Sequence, residues 1–184
     1  MNIKGKLVTI RAIEEGDLPV LHKWGNDPDI WYMLGGWHFP SSFDSLKAWF
    51  AGVKNDKYNQ RFVVEAEGKV IGTANLVSIN WKDKNAEHGM LIGDKENRGK
   101  GYAQDTIMGI MRYAFEELGL NRLDTTIIEY NAPSLKVYVE KCGWVQEGVQ
   151  RQWYFRKGRY WDRSVVGVTK EDYKNLIQKN NYWA

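Results

Sequence analysis

The sequence predicts a mixed α/β fold in one domain, built on a mostly antiparallel sheet of about seven strands flanked by helices. Three observations carry this expectation. Strand-like and helix-like runs alternate along the whole chain in the order β-α-α-β-β-β-α-β-α-β-β, with no internal repeat, low-complexity stretch or linker between them. Two-residue turn signals at Glu67-Gly68 and Lys157-Gly158 each join a pair of strand-like runs. A length of 184 residues suffices for one well-buried core and is short for two, so residues 1–184 read as a single domain.

Leu7-Val8-Thr9-Ile10-Arg11 alternates apolar and polar side chains as a first strand does, and Asp17 stands where it can cap a helix carrying Leu18, Leu21, His22 and Trp24. The chain then turns through Asn26-Asp27-Pro28-Asp29. An aromatic, irregular stretch from Trp31 to Phe50 includes Trp37 and is broken by Gly35-Gly36 and by Pro40-Ser41-Ser42, which can cap a second helix. Arg61 to Ala66 and Lys69 to Leu76 form the first hairpin, and Ala86 to Ile92 reads as a further strand. Ala103, Ile107, Ile110, Met111, Ala114 and Leu118 recur at helical spacing and give one apolar face ending near Gly119. Leu123 to Ile128 returns as a strand. A short helix follows with Asn131 near its cap, Pro133 in its first turn and Gly143 just past its end. Runs at about 144–155 and 159–168 form the last hairpin, and Thr169 can cap a final helix.

Composition narrows the function. The net charge of +3 and the absence of any Lys/Arg block give no reason to expect a nucleic-acid partner. No run approaches the roughly 18 apolar residues of a membrane span, and the first residues lack a signal-peptide core, so a cytoplasmic protein without a membrane partner is expected. A single cysteine, Cys142, cannot form an internal disulfide. His22, His38 and His88 show no ligand spacing, so no metal is expected. Nine Trp and ten Tyr are many for this length and point to a lined pocket or an interface; with an edge hairpin they suggest a homodimer.

The chemistry is concentrated around Arg98-Gly99-Lys100-Gly101-Tyr102-Ala103, a glycine-bearing turn directly ahead of the long amphipathic segment. Glycines allow close backbone approach, and the first N–H groups of the following helix are unpaired and partly positive, which together make a phosphate cradle. The spacing completes neither a nucleotide P-loop nor a dinucleotide-binding loop. The turn does match [QR]-x-x-G-x-[GA], the acetyl-CoA loop of the GNAT superfamily of N-acetyltransferases. Downstream, Asn131-Ala132-Pro133-Ser134-Leu135-Lys136-Val137-Tyr138 through Gly143-Trp144 matches that family's N-x-x-[SA]-x-x-x-Y-x-x-x-G-[FW]. With both motifs in order, nearly the whole chain resembles this superfamily, and most of all its branch of ribosomal-protein N-terminal and spermidine N-acetyltransferases.

The resemblance implies acetyl-CoA as co-substrate, with its pyrophosphate on Arg98 to Ala103 and its pantetheine amides along Met90, Leu91 and Ile92. It also implies Tyr138 as the acid for the departing thiolate, Glu87 as the base acting through water, and Asn131 supporting the cofactor or the strand-helix junction. An alkylamine with a pKa near 10.4 is only about one part in a thousand neutral near pH 7.4, so a site must assist deprotonation or exploit a lowered amine pKa. The expected acceptor is a primary amine on a small molecule: a polyamine, an amino sugar or an amino-acid derivative. Residues 1–60 hold seven acidic and seven basic side chains and offer a polycation no net field. A protein N-terminal α-amine and a non-catalytic acyl-CoA sensor are the alternatives.

Overall fold

The computed structural model describes residues 1–36, 39–53 and 55–184; Trp37 of the aromatic stretch and His38 lie outside the described residues. Eight strands, β1 (Ile3–Lys4), β2 (Thr9–Ala12), β3 (Gln60–Ala66), β4 (Lys69–Asn80), β5 (Asn85–Ile92), β6 (Arg122–Ile128), β7 (Val145–Arg156) and β8 (Arg159–Thr169), make one sheet in the order β1-β2-β3-β4-β5-β6-β8-β7. Every neighbouring pair is antiparallel except β5 with β6. The strand beyond the expected seven is β1, two residues too short to show a period. The helices are α1 (Leu18–Gly25), α2 (Pro28–Met33), α3 (Phe43–Gly52), α4 (Tyr102–Arg112), α5 (Ala132–Lys136) and α6 (Lys170–Asn180). α4 and α5 each run on into one π-helical turn, Tyr113–Glu117 and Val137–Lys141.

Local chemistry explains most of these boundaries. Glu67 and Gly68 have φ of 52° and 73°, and Lys157 and Gly158 have φ of 48° and 78°; two successive left-handed residues give the tight turn that matches strand twist. Ser42 caps α3 by accepting from Ser45 N, and Thr169 caps α6 in a reciprocal box with Asp172. Asn131 caps α5, with its side chain accepting from Ser134 N.

Two expectations in the first third need correction. Asp17 does not cap α1 with its side chain. Its carboxylate instead accepts from Arg11 at 2.8 Å and from Glu14 N at 2.8 Å, tying the first strand to the turn before α1. The Asn26–Asp29 turn holds only two residues before α2 begins, because Asp27 accepts from Asp29 N and Pro28 supplies a helical φ at the first position.

α4 lies against the sheet with Ile107, Met108, Ile110 and Met111 at 1% exposure or less. Each such side chain contributes about 2 kcal/mol through removal from water. Ala114, Phe115, Leu123, Val166 and Trp144 join the same core. That core holds the N-terminus of α4 and the turn after α5 against the middle of the sheet. Among the described residues, no helix is long and apolar enough to cross a membrane, and no group of His, Cys, Asp and Glu could hold a metal ion.

Candidate active site

β5 and β6 pair only over Asn85, Ala86 and Glu87 with Arg122, Leu123 and Asp124. Beyond that point each follows its other neighbour, β5 along β4 to Ile92 and β6 along β8 to Ile128. The two strands therefore part, and a cleft of about 1020 Å³ opens between them, walled by Glu87 to Leu91 on one side and Asp124 to Ile128 on the other. Past Glu87 one backbone edge of β5 has no strand beside it among the described residues. Such an edge can pair with an extended ligand carrying amides.

The cleft brings Glu87, Met90, Leu91, Asn131 and Tyr138 into one lining, although they come from β5 and the distant α5 segment. Ile92 and the loop Arg98 to Ala103 lie outside that lining, further along the direction in which β5 leaves the cleft. In the loop, Gly99 and Gly101 have φ of 74° and 84°, and Gly101 is the N-cap of α4 with no side-chain cap hydrogen bond. The first N–H groups of α4 thus remain available to an anion.

Asp105, in the first turn of α4, would oppose an anion there if its charge faced the loop. It is buried and turned away. Its carboxylate accepts from the backbone N–H of Lys6 at 2.9 Å, Leu7 at 2.6 Å and Val8 at 2.9 Å, and from the Tyr182 hydroxyl at 2.9 Å. Gly5 makes this possible, since a Cβ there would stand 2.2 Å from Asp105 Oδ2. Tyr102 is buried, and its hydroxyl donates to Glu67 at 3.2 Å, so only its backbone N–H faces the loop's ligand side. A Cβ on Gly93 would stand 2.0 Å from the indole of buried Trp24, and the Trp24 Nε1 donates to Asp94 at 3.3 Å, which ties α1 to the chain just past β5.

At the cleft's inner wall Tyr138 is 4% exposed, and burial pushes its phenol well above the usual tyrosine range. Its ring packs edge-on against Trp144 at 4.9 Å between centroids and lies 5.8 Å from the His88 ring. Among the described residues nothing hydrogen-bonds the Tyr138 hydroxyl. His88 is buried, donates from Nδ1 to Asn75 O at 2.9 Å, and is held neutral, with burial lowering its pKa to about 4. Glu87 is exposed on the opposite face of β5 and makes no hydrogen bond or ion pair among the described residues. Its register partner Asp124 is engaged by Arg122, which also holds Glu147 at 2.9 Å. Cys142 is buried, and burial pushes its thiol up to about 12, which removes it as a nucleophile.

A roof of residues 33–36 covers part of the cleft. Asn131 donates from Nδ2 to Met33 O at 3.1 Å, and the Tyr130 hydroxyl donates to Tyr32 O beneath a stacked Tyr32–Tyr130 pair at 4.4 Å. Arg156 reaches Leu34 O at 3.3 Å, and Gly35 lies so close to Tyr154 that a Cβ would meet its hydroxyl at 2.2 Å. Asn131 therefore links the α5 cap to the roof. Sequence reasoning missed Asp105, Trp24, Tyr130 and Tyr154, since each acts through a partner 30 or more positions away. The pairing of a glycine with each of Asp105, Trp24 and Tyr154 is visible only once the chain is folded.

The acetyltransferase (GNAT) domain family matches residues 8–145. The chain belongs to the GNAT acetyltransferases. It is an acetyl-CoA-dependent N-acetyltransferase. Among proteins similar to this GNAT chain is a spermidine N(1)-acetyltransferase of Vibrio cholerae, 33% identical over 91% of this chain and 96% of that one. A prophage-derived N-acetyltransferase, YokL, of Bacillus subtilis is 30% identical over 92% and 94%. The crystal structure of the Vibrio cholerae spermidine N-acetyltransferase in complex with CoA and spermine superposes with a TM-score of 0.83 at 32% identity, covering 92% of this chain and 99% of that one.

Proposed function

We propose that this GNAT enzyme transfers the acetyl group of acetyl-CoA to a primary amine of a polyamine. The observation that carries this reading is the near-complete likeness to spermidine N-acetyltransferases, including one in complex with CoA and spermine. The cleft supports it locally, because Glu87 presents a carboxylate with no ion pair among the described residues where β5 and β6 separate, while its register partner Asp124 is held by Arg122. A carboxylate there suits a cationic acceptor even though the first sixty residues carry no net charge.

Each residue has a distinct task in this reading. The uncapped start of α4, with Gly99 and Gly101 left-handed and Arg98 and Lys100 beside them, holds the pyrophosphate. Met90, Leu91 and Ile92 offer a backbone edge to the pantetheine amides, and a β5 N–H stabilises the developing oxyanion. Asn131 sets the start of α5 and so the placement of Tyr138. Acetyl-CoA supplies an activated thioester. Glu87, unpaired and facing the cleft, removes the amine proton through water, and the amine nitrogen attacks the thioester carbon directly. Tyr138 donates its proton to the departing sulfur; burial keeps the phenol protonated until that moment. Two protons leave the nitrogen of the ammonium, one to Glu87 through water before attack and one as the amide forms; one proton reaches the sulfur and the other passes to solvent.

A second copy of the chain is the partner proposed for the edge of the sheet, where Val145, Val149, Trp153 and Phe155 of β7 stand exposed. The reaction itself is tested by free-thiol release from acetyl-CoA over spermidine, spermine, amino sugars, amino acids and short peptides. Turnover with the polyamines at a kcat/KM well above the rest is expected. Preference for a peptide N-terminus, or CoA binding without thiol release on any amine, would overturn the proposal.

A further inference from the structure

His88 is a buried polar group that none of the steps above uses. Its side chain points from β5 into the core, on the face that carries Ala86, and both His88 and Tyr138 line the cleft. The carbonyl of Asn75 can only accept, so the proton of the neutral ring sits on Nδ1 and Nε2 presents a bare lone pair. Among the described residues that nitrogen is buried with no hydrogen-bond partner. An unsatisfied acceptor in the core is costly and calls for a donor. Beside it stands the Tyr138 ring, at 5.8 Å between centroids, whose hydroxyl is likewise unpartnered among the described residues.

Two lone-pair acceptors, the enclosed Nε2 and the Tyr138 oxygen, thus belong to neighbouring rings at the cleft wall with no donor for either among the described residues. A single water suits the pair, since it can donate one O–H to each. We infer that His88 is a positioning residue for the proton donor, its Nε2 holding a water that donates to the hydroxyl oxygen of Tyr138. This rests on the reading of Tyr138 as the donor. The need for it is physical. When the Tyr138 O–H bond breaks and the proton passes to the departing sulfur, the electron pair remains on an oxygen in surroundings that disfavour charge. A water O–H aimed at that oxygen stabilises the phenolate as it forms, and the lone pair of Nε2 fixes the water so that its hydrogen points the right way. No proton moves to His88. The Tyr138 proton is restored by the second proton that the nitrogen releases as the amide forms.

The test combines kinetics with a spectroscopic readout. Against acetyl-CoA and spermidine, His88→Leu is expected to lower kcat about tenfold and leave the KM for acetyl-CoA within about twofold. His88→Gln, which keeps an acceptor, should recover part of the loss. In a Tyr138→Phe background His88→Leu should cost nothing further, because the oxygen it serves is gone. Separately, ¹⁵N shifts of the wild-type imidazoles should show His88 with Nδ1 protonated and Nε2 unprotonated but hydrogen-bonded, and the Nε2 signal should move in Tyr138→Phe. An equal loss from His88→Leu with and without Tyr138, or an Nε2 shift indifferent to Tyr138→Phe, overturns the inference. If wild-type protein acetylates no amine, the donor reading fails on its own account and the nitrogen shift still decides whether His88 and Tyr138 are coupled.

Discussion

Replacing His88 by leucine should make the protein less sensitive to acid, and the size of the effect follows from the burial of the imidazole. In the folded chain His88 is neutral down to about pH 4, whereas the free side chain takes up a proton near 6.5. Between those values the unfolded chain binds more protons than the native one, so stability contributed by the neutral ring is complete above pH 6.5 and is lost as pH falls toward 4. Integrated from pH 8 to pH 5, the difference amounts to about 2 kcal/mol. For a chain of this length that is roughly 4–8 °C in Tm. Thermal unfolding of wild type and His88→Leu at pH 8 and pH 5 measures it: the wild type should lose about that much more on acidification than the variant. Other groups titrate equally in both proteins and cancel. An identical loss in the two would refute the claim that His88 is buried and neutral.

Three further substitutions probe separate parts of the site. Tyr138→Phe removes the proposed acid and should lower kcat about a hundredfold with acetyl-CoA affinity nearly unchanged, read from steady-state kinetics and calorimetry; undiminished turnover would take Tyr138 out of the mechanism. Gly101→Val forces a β-branched residue to φ of 84° at the N-cap of α4 and crowds the approach to its N–H groups. Calorimetry should then show CoA binding weakened by about tenfold or more, and equal affinity would contradict the loop assignment. Gly5→Ala puts a Cβ 2.2 Å from Asp105 Oδ2 and must displace a carboxylate holding three backbone N–H groups. A loss of about 2–4 kcal/mol in denaturant unfolding is expected, and a change under about 0.5 kcal/mol would show that the Asp105 clamp is dispensable.

Local signals were legible where the causes are local. The left-handed turns at Glu67-Gly68 and Lys157-Gly158, the apolar stripe of α4 and the caps at Ser42, Asn131 and Thr169 all depend on residues within a few positions of one another. α2 escaped notice because six residues are too few for a helical period and the Asn-Asp-Pro-Asp composition favours a turn. Asp17 satisfied the statistics of a cap, but Arg11 on the neighbouring strand competes for its carboxylate and wins through charge. The opening between β5 and β6 leaves no mark on either strand, since it results from each following a different partner. For the same reason the motif residues could be named without knowing that Glu87 and Tyr138 sit on opposite faces of one gap. Nor does any spacing reveal that His88, an unremarkable neighbour of Glu87, turns inward beside Tyr138.

The most direct test of the account is to incubate the protein with acetyl-CoA and spermidine and follow both products, free CoA by thiol titration and the polyamine by mass spectrometry. Transfer across the gap between β5 and β6 predicts monoacetylated spermidine in one-to-one proportion with CoA, at a rate that falls about a hundredfold in Tyr138→Phe. CoA released without acetylated amine, or acetylation that proceeds equally well without the Tyr138 hydroxyl, would contradict it.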